Sequence, residues 1–259
     1  MTILLKSRAD IESIRQSGRI VADILAELRM AVRPGITTGE LDELAVELLS
    51  QRDARSSTLG YVYEGFSYPA SLCTSVNDEV IHGIPGARVL QEGDILKLDL
   101  AAMYRGWHAD AAITVPVGVV SPEVRRLISV THNALDQGIA AARAGNRLQD
   151  ISRSVQSYVE GTGFCVVRDY GGHGIGRSMH EEPASILNNV VPRFDNPLLR
   201  PGMVITIEPL VSTGAARVGA KETHILDDHW TVVTIDGSCA AHFEHTIAIT
   251  EGDAEILTL

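Results

Sequence analysis

Asp94-Ile95-Leu96-Lys97-Leu98-Asp99-Leu100, the break Met103-Tyr104-Arg105-Gly106, and the run from His108 to Val117 read as one antiparallel hairpin. Successive side chains on a strand point to opposite faces. The first run therefore sets Leu96, Leu98 and Leu100 on one face and Lys97 and Asp99 on the other. The second sets His108, Asp110, Ala112 and Thr114 together. Gly106 fits a bulge residue beside the turn. With the turn centred on Tyr104-Arg105, Asp99 lies opposite Asp110. Like charges directly opposed destabilise a sheet, so something positive is expected between these two acids.

Working outward, Ile11, Ile14, Ile20, Val21, Ile24, Leu25 and Leu28 recur at helical spacing and predict a helix over 9–32, stopped by Arg33-Pro34-Gly35. Thr37, with Glu40 three residues on, forms a capping-box pattern. The helix it opens runs to about Gln51 and buries Leu41, Leu44, Leu48 and Leu49. Residues 52–70 read as an aromatic loop carrying Tyr61, Tyr63, Phe66 and Tyr68. Strands are expected at 71–76 and 79–85. Ser121-Pro122-Glu123 opens a helix with a cap, a proline at its first position and an acid in its first turn, and a further helix covers 148–160. Gly35 to Leu41 and Gly145 to Ile151 both run from helix exit through a short loop to an acid-aliphatic pair. This offset of 110 residues hints at two related halves.

Met203 to Pro209 reads as a strand ended by proline. Trp230 to Ile235 reads as another, with Asp236-Gly237 as a hairpin turn. The last strand, Ala241 to Thr250, puts His242, Glu244 and Thr246 on one face. No linker or low-complexity segment divides the chain. The expectation is one domain, 1–259, of α/β (α+β) type with a largely antiparallel sheet.

The chain has 259 residues and a formal charge of −11, which argues against non-specific binding to nucleic acid or an anionic membrane. No apolar run approaches the ~20 residues that span a bilayer, and the N-terminal stretch lacks a signal peptide's apolar region. Cys73, Cys165 and Cys239 are odd in number and widely spaced, which fits a reducing cytoplasm. No CxxC pair offers a thiolate zinc site.

Gly171-Gly172-His173-Gly174-Ile175-Gly176-Arg177-Ser178-Met179-His180-Glu181-Glu182-Pro183 concentrates two histidines and two glutamates behind four glycines. It reads as a tight, bare loop that exposes an imidazole. The glycines at 172, 174 and 176 fall one residue too close for the G-x-G-x-x-G nucleotide fingerprint. Asp99, Asp110, Glu208 and Glu244 stand in strands, where a buried carboxylate is costly unless paired or bound to metal. Singly, each reads as an ordinary ion pair or strand-edge residue. Together with His173 they can neutralise two divalent cations, and a metal pair ~3.5–4 Å apart can share and acidify a water. Oxygen-rich ligands with one imidazole favour Mn, Fe or Co, with zinc also open.

His82-Gly83-Ile84-Pro85, His108-Ala109-Asp110, Gly172-His173-Gly174-Ile175-Gly176 with His180-Glu181-Glu182-Pro183, Ile207-Glu208-Pro209 and Glu244-His245-Thr246 occur in this order. The ordered set, over nearly the whole chain, resembles the type I methionine aminopeptidases of the pita-bread fold. The resemblance implies two pseudo-symmetric helix–sheet halves around a curved sheet. It implies Asp99, Asp110, His173, Glu208 and Glu244 as ligands of two divalent ions (Co, Mn, Fe or Zn). Asp110 and Glu244 would bridge the two, Asp99 would serve one, and His173 and Glu208 the other. The implied reaction removes an N-terminal methionine ahead of a small second residue, by attack of a metal-bridging water. Glu208 would shuttle the proton, His180 would stabilise the oxyanion and His82 would contact the scissile nitrogen. Tyr68, Cys73, Met179 and Trp230 would line the methionine pocket; Met179 departs from the family's frequent aromatic there.

His108, His132, His224, His229, His242 and His245 read as surface or hydrogen-bonded histidines. The short spacings from His173 to Glu208 and from Glu208 to Glu244 leave no room for the helical insertion of type II relatives, and the chain looks like the short bacterial form. By the same resemblance the partners are N-terminal methionines of nascent peptides, with docking at the ribosome a further expectation that no residue marks. No membrane or specific nucleic acid is expected, and family analogy gives a monomer. Two other readings stay open: an aminopeptidase of the same fold with another specificity, and a non-catalytic pita-bread binding protein.

Overall fold

Ser7 starts the first helix. Its hydroxyl accepts the backbone N–H of Asp10, while Asp10 Oδ2 accepts the N–H of Ser7 at 2.9 Å, so two otherwise orphaned donors are satisfied. Our computed structural model describes residues 2–214 and 222–259; Met1 and 215–221 of the expected domain lie outside them. Helix α1 covers Arg8–Ala31 and α2 Thr38–Gln51. Three two-residue strands follow, β1 Arg55–Ser56, β2 Val62–Tyr63 and β3 Phe66–Ser67, in the stretch expected as loop. Then come β4 Cys73–Val76, β5 Glu79–Ile81, β6 Ile95–Tyr104, β7 Trp107–Pro116, α3 Pro122–Ala141 and α4 Leu148–Gly161. The second half continues with β8 Cys165–Val166, β9 Gly171–Gly174, β10 Glu181–Leu187, β11 Val204–Ile207 and β12 Leu210–Ser212. It closes with β13 Thr223–Ile225, β14 Val232–Thr234, β15 Ala240–His242, β16 Glu244–Ala248 and β17 Glu255–Ile256.

The main sheet is antiparallel throughout and runs β1-β6-β7-β16-β11-β9-β10, with β4 also on β6 and β17 on β16. Helices pack against the aliphatic side chains of these strands. Leu96, Leu98 and Leu100 of β6 pack with Val21, Ile24 and Leu28 of α1 and Leu41 and Leu48 of α2. Ile205 and Ile207 of β11 and Ile247 of β16 pack with Leu135 of α3 and Ile151 of α4. Each fully buried aliphatic side chain contributes about 1.5–3 kcal/mol, enough to hold the polar side chains of the same strands on the opposite face.

The two halves echo each other as the sequence hinted. Helix pair α1–α2 is answered by α3–α4. The N-cap N–H groups of Thr37 and Arg147 are each accepted by the acid three residues on, Glu40 at 2.7 Å and Asp150 at 2.8 Å. Isolated bridges Thr37↔Val89 and Arg147↔Leu198 follow at matching places.

Three strand expectations are corrected. The β6–β7 turn is the two-residue Arg105-Gly106, both at positive φ (51° and 79°), as the right-handed twist of a tight hairpin demands; Gly106 is a turn residue, not a bulge. Tyr104 therefore faces Trp107, Asp99 faces Ala112 and Asp110 faces Ala101. The two acids are diagonal neighbours on one face, not directly opposed. Asp236-Gly237 joins strands of different sheets, since β14 pairs with β13 and β5 while β15 pairs with β12. The run 241–250 is likewise two strands, broken at Phe243, with β15 and β16 in separate sheets.

Candidate metal centre

His173 sits in a strand, β9, between β10 and β11, and not in the bare loop read from the sequence. The glycines around it provide close approach. A Cβ on Gly172 would lie 2.1 Å from Thr206 O, one on Gly171 2.3 Å from Ile186 O, and one on Gly174 2.5 Å from Glu182 O. None of the three has a positive φ; they are glycine because backbone passes where a side chain would begin. The His173 N–H donates to Thr206 Oγ1 at 3.0 Å. Its Nδ1 lies 2.9 Å from Gly174 O, an arrangement that puts the ring proton on Nδ1 and leaves the Nε2 lone pair for a metal.

A parallel anchor holds Asp110. Its N–H donates to Thr246 Oγ1 at 3.0 Å, and Thr246 Oγ1 donates to Asp110 O at 2.8 Å. Thr206 and Thr246 are cross-strand partners on β11 and β16, so two adjacent threonines tie one candidate ligand each. Thr206 also donates to Glu208 Oε1 at 3.3 Å. The sequence reading gave neither threonine a role; their signal was only their place on the strand faces that carry Glu208 and Glu244.

Asp110, His173 and Glu244 bring donor atoms within 4.8 Å of one another, and so do Glu208, His242 and Glu244. Asp99 lies on the same face as Asp110 and feels its charge and that of Glu208, but belongs to neither tight group. Burial pushes the Glu208 carboxyl up, and Asp110 adds to it. Burial and the neighbouring acids raise Glu244 and Asp99 well above the ordinary carboxylate range, and burial raises Asp110. Among the described residues, no Lys or Arg forms an ion pair with any of the four. The nearest lysine on that face of β6, Lys97, gives its ammonium to Asn77 O at 2.8 Å and Ala240 O at 2.9 Å. Asp110 Oδ1 and Glu244 Oε1 are buried without a hydrogen-bond partner. Buried, like-charged and unpaired, the acids fit a divalent cation as the missing positive charge.

Three of the histidines around the site hold their protons less tightly than usual. Burial and His180 push His173 down to about 3, and burial pushes His82 down to about 4. His180, open to solvent at the edge of the site, is lowered by the groove around it and by His108. Its ring centroid is 4.1 Å from that of His173 and 5.1 Å from that of Tyr61. His82 stands at φ 58°, a strained backbone for a histidine, with its ring edge-on to Trp230 at 6.2 Å.

Beside them Tyr68, Cys73 and Trp230 form an apolar cluster with Ala70, Tyr61 and Ile84, and Tyr68 and Trp230 meet edge to face at 5.2 Å. Met179 is buried but outside this cluster. Tyr61 and Ile84 were not singled out for the pocket in the sequence. His108 and His245 are hydrogen-bonded, to Ser57 and Thr258, as expected. His242 is not: it is buried with neither ring nitrogen satisfied.

Residues 12–251 match metallopeptidase family M24. The chain is 45% identical to methionine aminopeptidase 1 of Bacillus subtilis, over 99% of both chains. The chain belongs to the methionine aminopeptidases. Among solved structures, the methionine aminopeptidase of Rickettsia prowazekii superposes with a TM-score of 0.93 at 37% identity over the whole of both chains. That of Thermotoga maritima gives 0.92 at 41% identity over 99% of each. The packed helix pairs, antiparallel sheet and repeated halves are thus the pita-bread fold of the methionine aminopeptidases. A metallopeptidase needs a divalent ion, and the acidic cluster is where this chain can hold one.

Proposed function

We propose that this chain hydrolyses the first peptide bond of substrates that begin with methionine and carry a small second residue. Asp99, Asp110, His173, Glu208 and Glu244 hold two divalent ions drawn from Mn, Fe, Co or Zn. The observation that carries this reading is the cluster of buried carboxylates facing the lone-pair imidazole of His173, with orphaned oxygens and, among the described residues, no paired Lys or Arg. The ions, once bound, supply Lewis acidity and a water acidified to near-neutral pKa.

The rest of the chemistry falls to the chain's own side chains. Glu208, anchored through Thr206, acts as the general base and passes the proton on to the leaving amine. His180 reaches in from the rim and donates to the carbonyl oxygen as negative charge grows there, where one well-placed donor is worth about 10²–10³ in rate. His82 contacts the nitrogen of the bond being cut. Tyr68, Cys73 and Trp230 take the methionine side chain, since a thioether packs against aromatic rings with a gain of about 0.3–1.5 kcal/mol each. Met179, expected there as well, is buried outside the aromatic cluster. We infer a single catalytic unit acting as a monomer in the cytoplasm on nascent chains. Its support is the full-length match to the relatives and the fact that no helix among the described residues is long and apolar enough to cross a membrane.

The test is turnover of Met-Ala-Ser and Leu-Ala-Ser with Mn, with and without chelator. Chelator-sensitive release of methionine but not leucine is expected. Equal release of both refutes the pocket assignment, and full activity in metal-stripped protein refutes the metal reading.

A further inference from the structure

His242 lies inside the acidic cluster, and the reaction as described gives it nothing to do. It closes β15, one residue before the break at Phe243. Thr114 clamps its backbone: Thr114 Oγ1 accepts the His242 N–H at 2.9 Å and donates to the His242 carbonyl at 2.6 Å. The residue is 1% exposed, and both ring nitrogens are buried without a hydrogen-bond partner. Nε2 lies 3.9 Å from Glu208 Oε2 and 3.7 Å from Glu244 Oε2. A neutral imidazole carries one N–H donor, and here it stands between two carboxylates that repel each other. Thr206 donates to the other oxygen of Glu208, Oε1, and Lys97 is committed to two carbonyl oxygens.

We propose that His242 is a positioning residue of the metal centre, its Nε2–H shared between Oε2 of Glu208 and Oε2 of Glu244 so that both carboxylates keep the spacing at which they hold an ion. The proposal rests on the reading of Glu208 and Glu244 as ligands. Donors behind ligating side chains fix their orientation, and losing one typically costs ~10–100-fold in metal affinity. The distances are longer than a formed hydrogen bond, and catalytic hydrogen bonds of this kind tighten when the site is loaded.

The experiment is calorimetric titration of Mn into the metal-free full chain, alongside the visible absorption of the Co-loaded protein, for His242→Gln, His242→Leu and Glu244→Gln. His242→Leu removes the donor, and a loss of ~10–100-fold in Mn affinity is expected. His242→Gln keeps an amide N–H at similar reach but is a poor substitute for an imidazole ligand. It is expected to bind Mn close to wild type with an unchanged Co spectrum. Two results overturn the proposal: His242→Gln as weak as His242→Leu, which makes the imidazole itself indispensable, or His242→Leu as tight as wild type. Glu244→Gln binding as tightly as wild type overturns the ligand reading itself. The unfolding midpoint of each metal-free variant is read in parallel. If His242→Leu does not fold, His242→Asn replaces it, because its shorter amide cannot span to both acids and the same loss is expected.

Discussion

Thr246→Val removes one hydroxyl and keeps the side chain's shape. That hydroxyl accepts the Asp110 N–H at 3.0 Å and donates to the Asp110 carbonyl at 2.8 Å, beyond the last paired residues of β7 and β16, Ala111 with His245 and Ala112 with Glu244. Thr246 is 0% exposed, so no water replaces it. A valine methyl leaves a buried donor and a buried acceptor unsatisfied, at about 1–3 kcal/mol each. The expected loss is about 2–6 kcal/mol, a large share of the 5–15 kcal/mol by which domains are typically stable. Urea unfolding of the metal-free protein should show a lower midpoint at unchanged slope. Freed of its anchor, Asp110 should also bind metal less well, by roughly 10-fold in a Mn titration. A stability loss under about 0.5 kcal/mol, the range of an ordinary surface substitution, together with unchanged Mn affinity, would refute the claim that Thr246 holds Asp110 in place.

Glu208→Gln and His180→Ala should each lower kcat on Met-Ala-Ser by at least about 100-fold while the circular dichroism spectrum stays native; near-normal turnover in either removes its assigned role. The metal-free protein should also show a two-sided pH dependence. Asp110 and Glu208 bind protons more tightly folded than unfolded, so the stability they contribute is complete below the ordinary carboxylate range and is lost as pH rises through about 6 and about 8. His173 and His242 bind protons less tightly folded, each pushed down to about 3, and so cost stability as pH falls below the ordinary imidazole value. Melting temperature should therefore fall between pH 6.5 and 8.5 without metal, and added Mn should abolish that fall; the same fall in Mn-loaded protein would mean that the ion does not sit on these acids.

Much of this was legible because local chemistry dictates it. The caps at Thr37 and Ser121, the glycine and proline stops, and the leucine face of β6 follow from backbone hydrogen bonding and two-residue alternation, which neighbouring residues impose whatever the fold. The ordered motifs from His82 to Glu244 named the family and, with it, five expected ligands drawn from five separate segments. Other features depend on contacts between distant segments. Whether the hairpin turned at Tyr104-Arg105 or at Arg105-Gly106 moved every pair by two, and the positive φ of both turn residues decided it. The glycines around His173 looked like a loop because spacing alone cannot distinguish freedom of φ from a carbonyl that passes 2.1 Å from a missing Cβ. His242 read as an ordinary histidine until the fold set it 3.7 Å from Glu244 and 3.9 Å from Glu208. The sequence by itself determined the family and the strand faces on which Asp99, Asp110, Glu208 and Glu244 stand. Only the tertiary structure decided which of them share a charge, because buried electrostatics depends on distances between strands far apart in the chain.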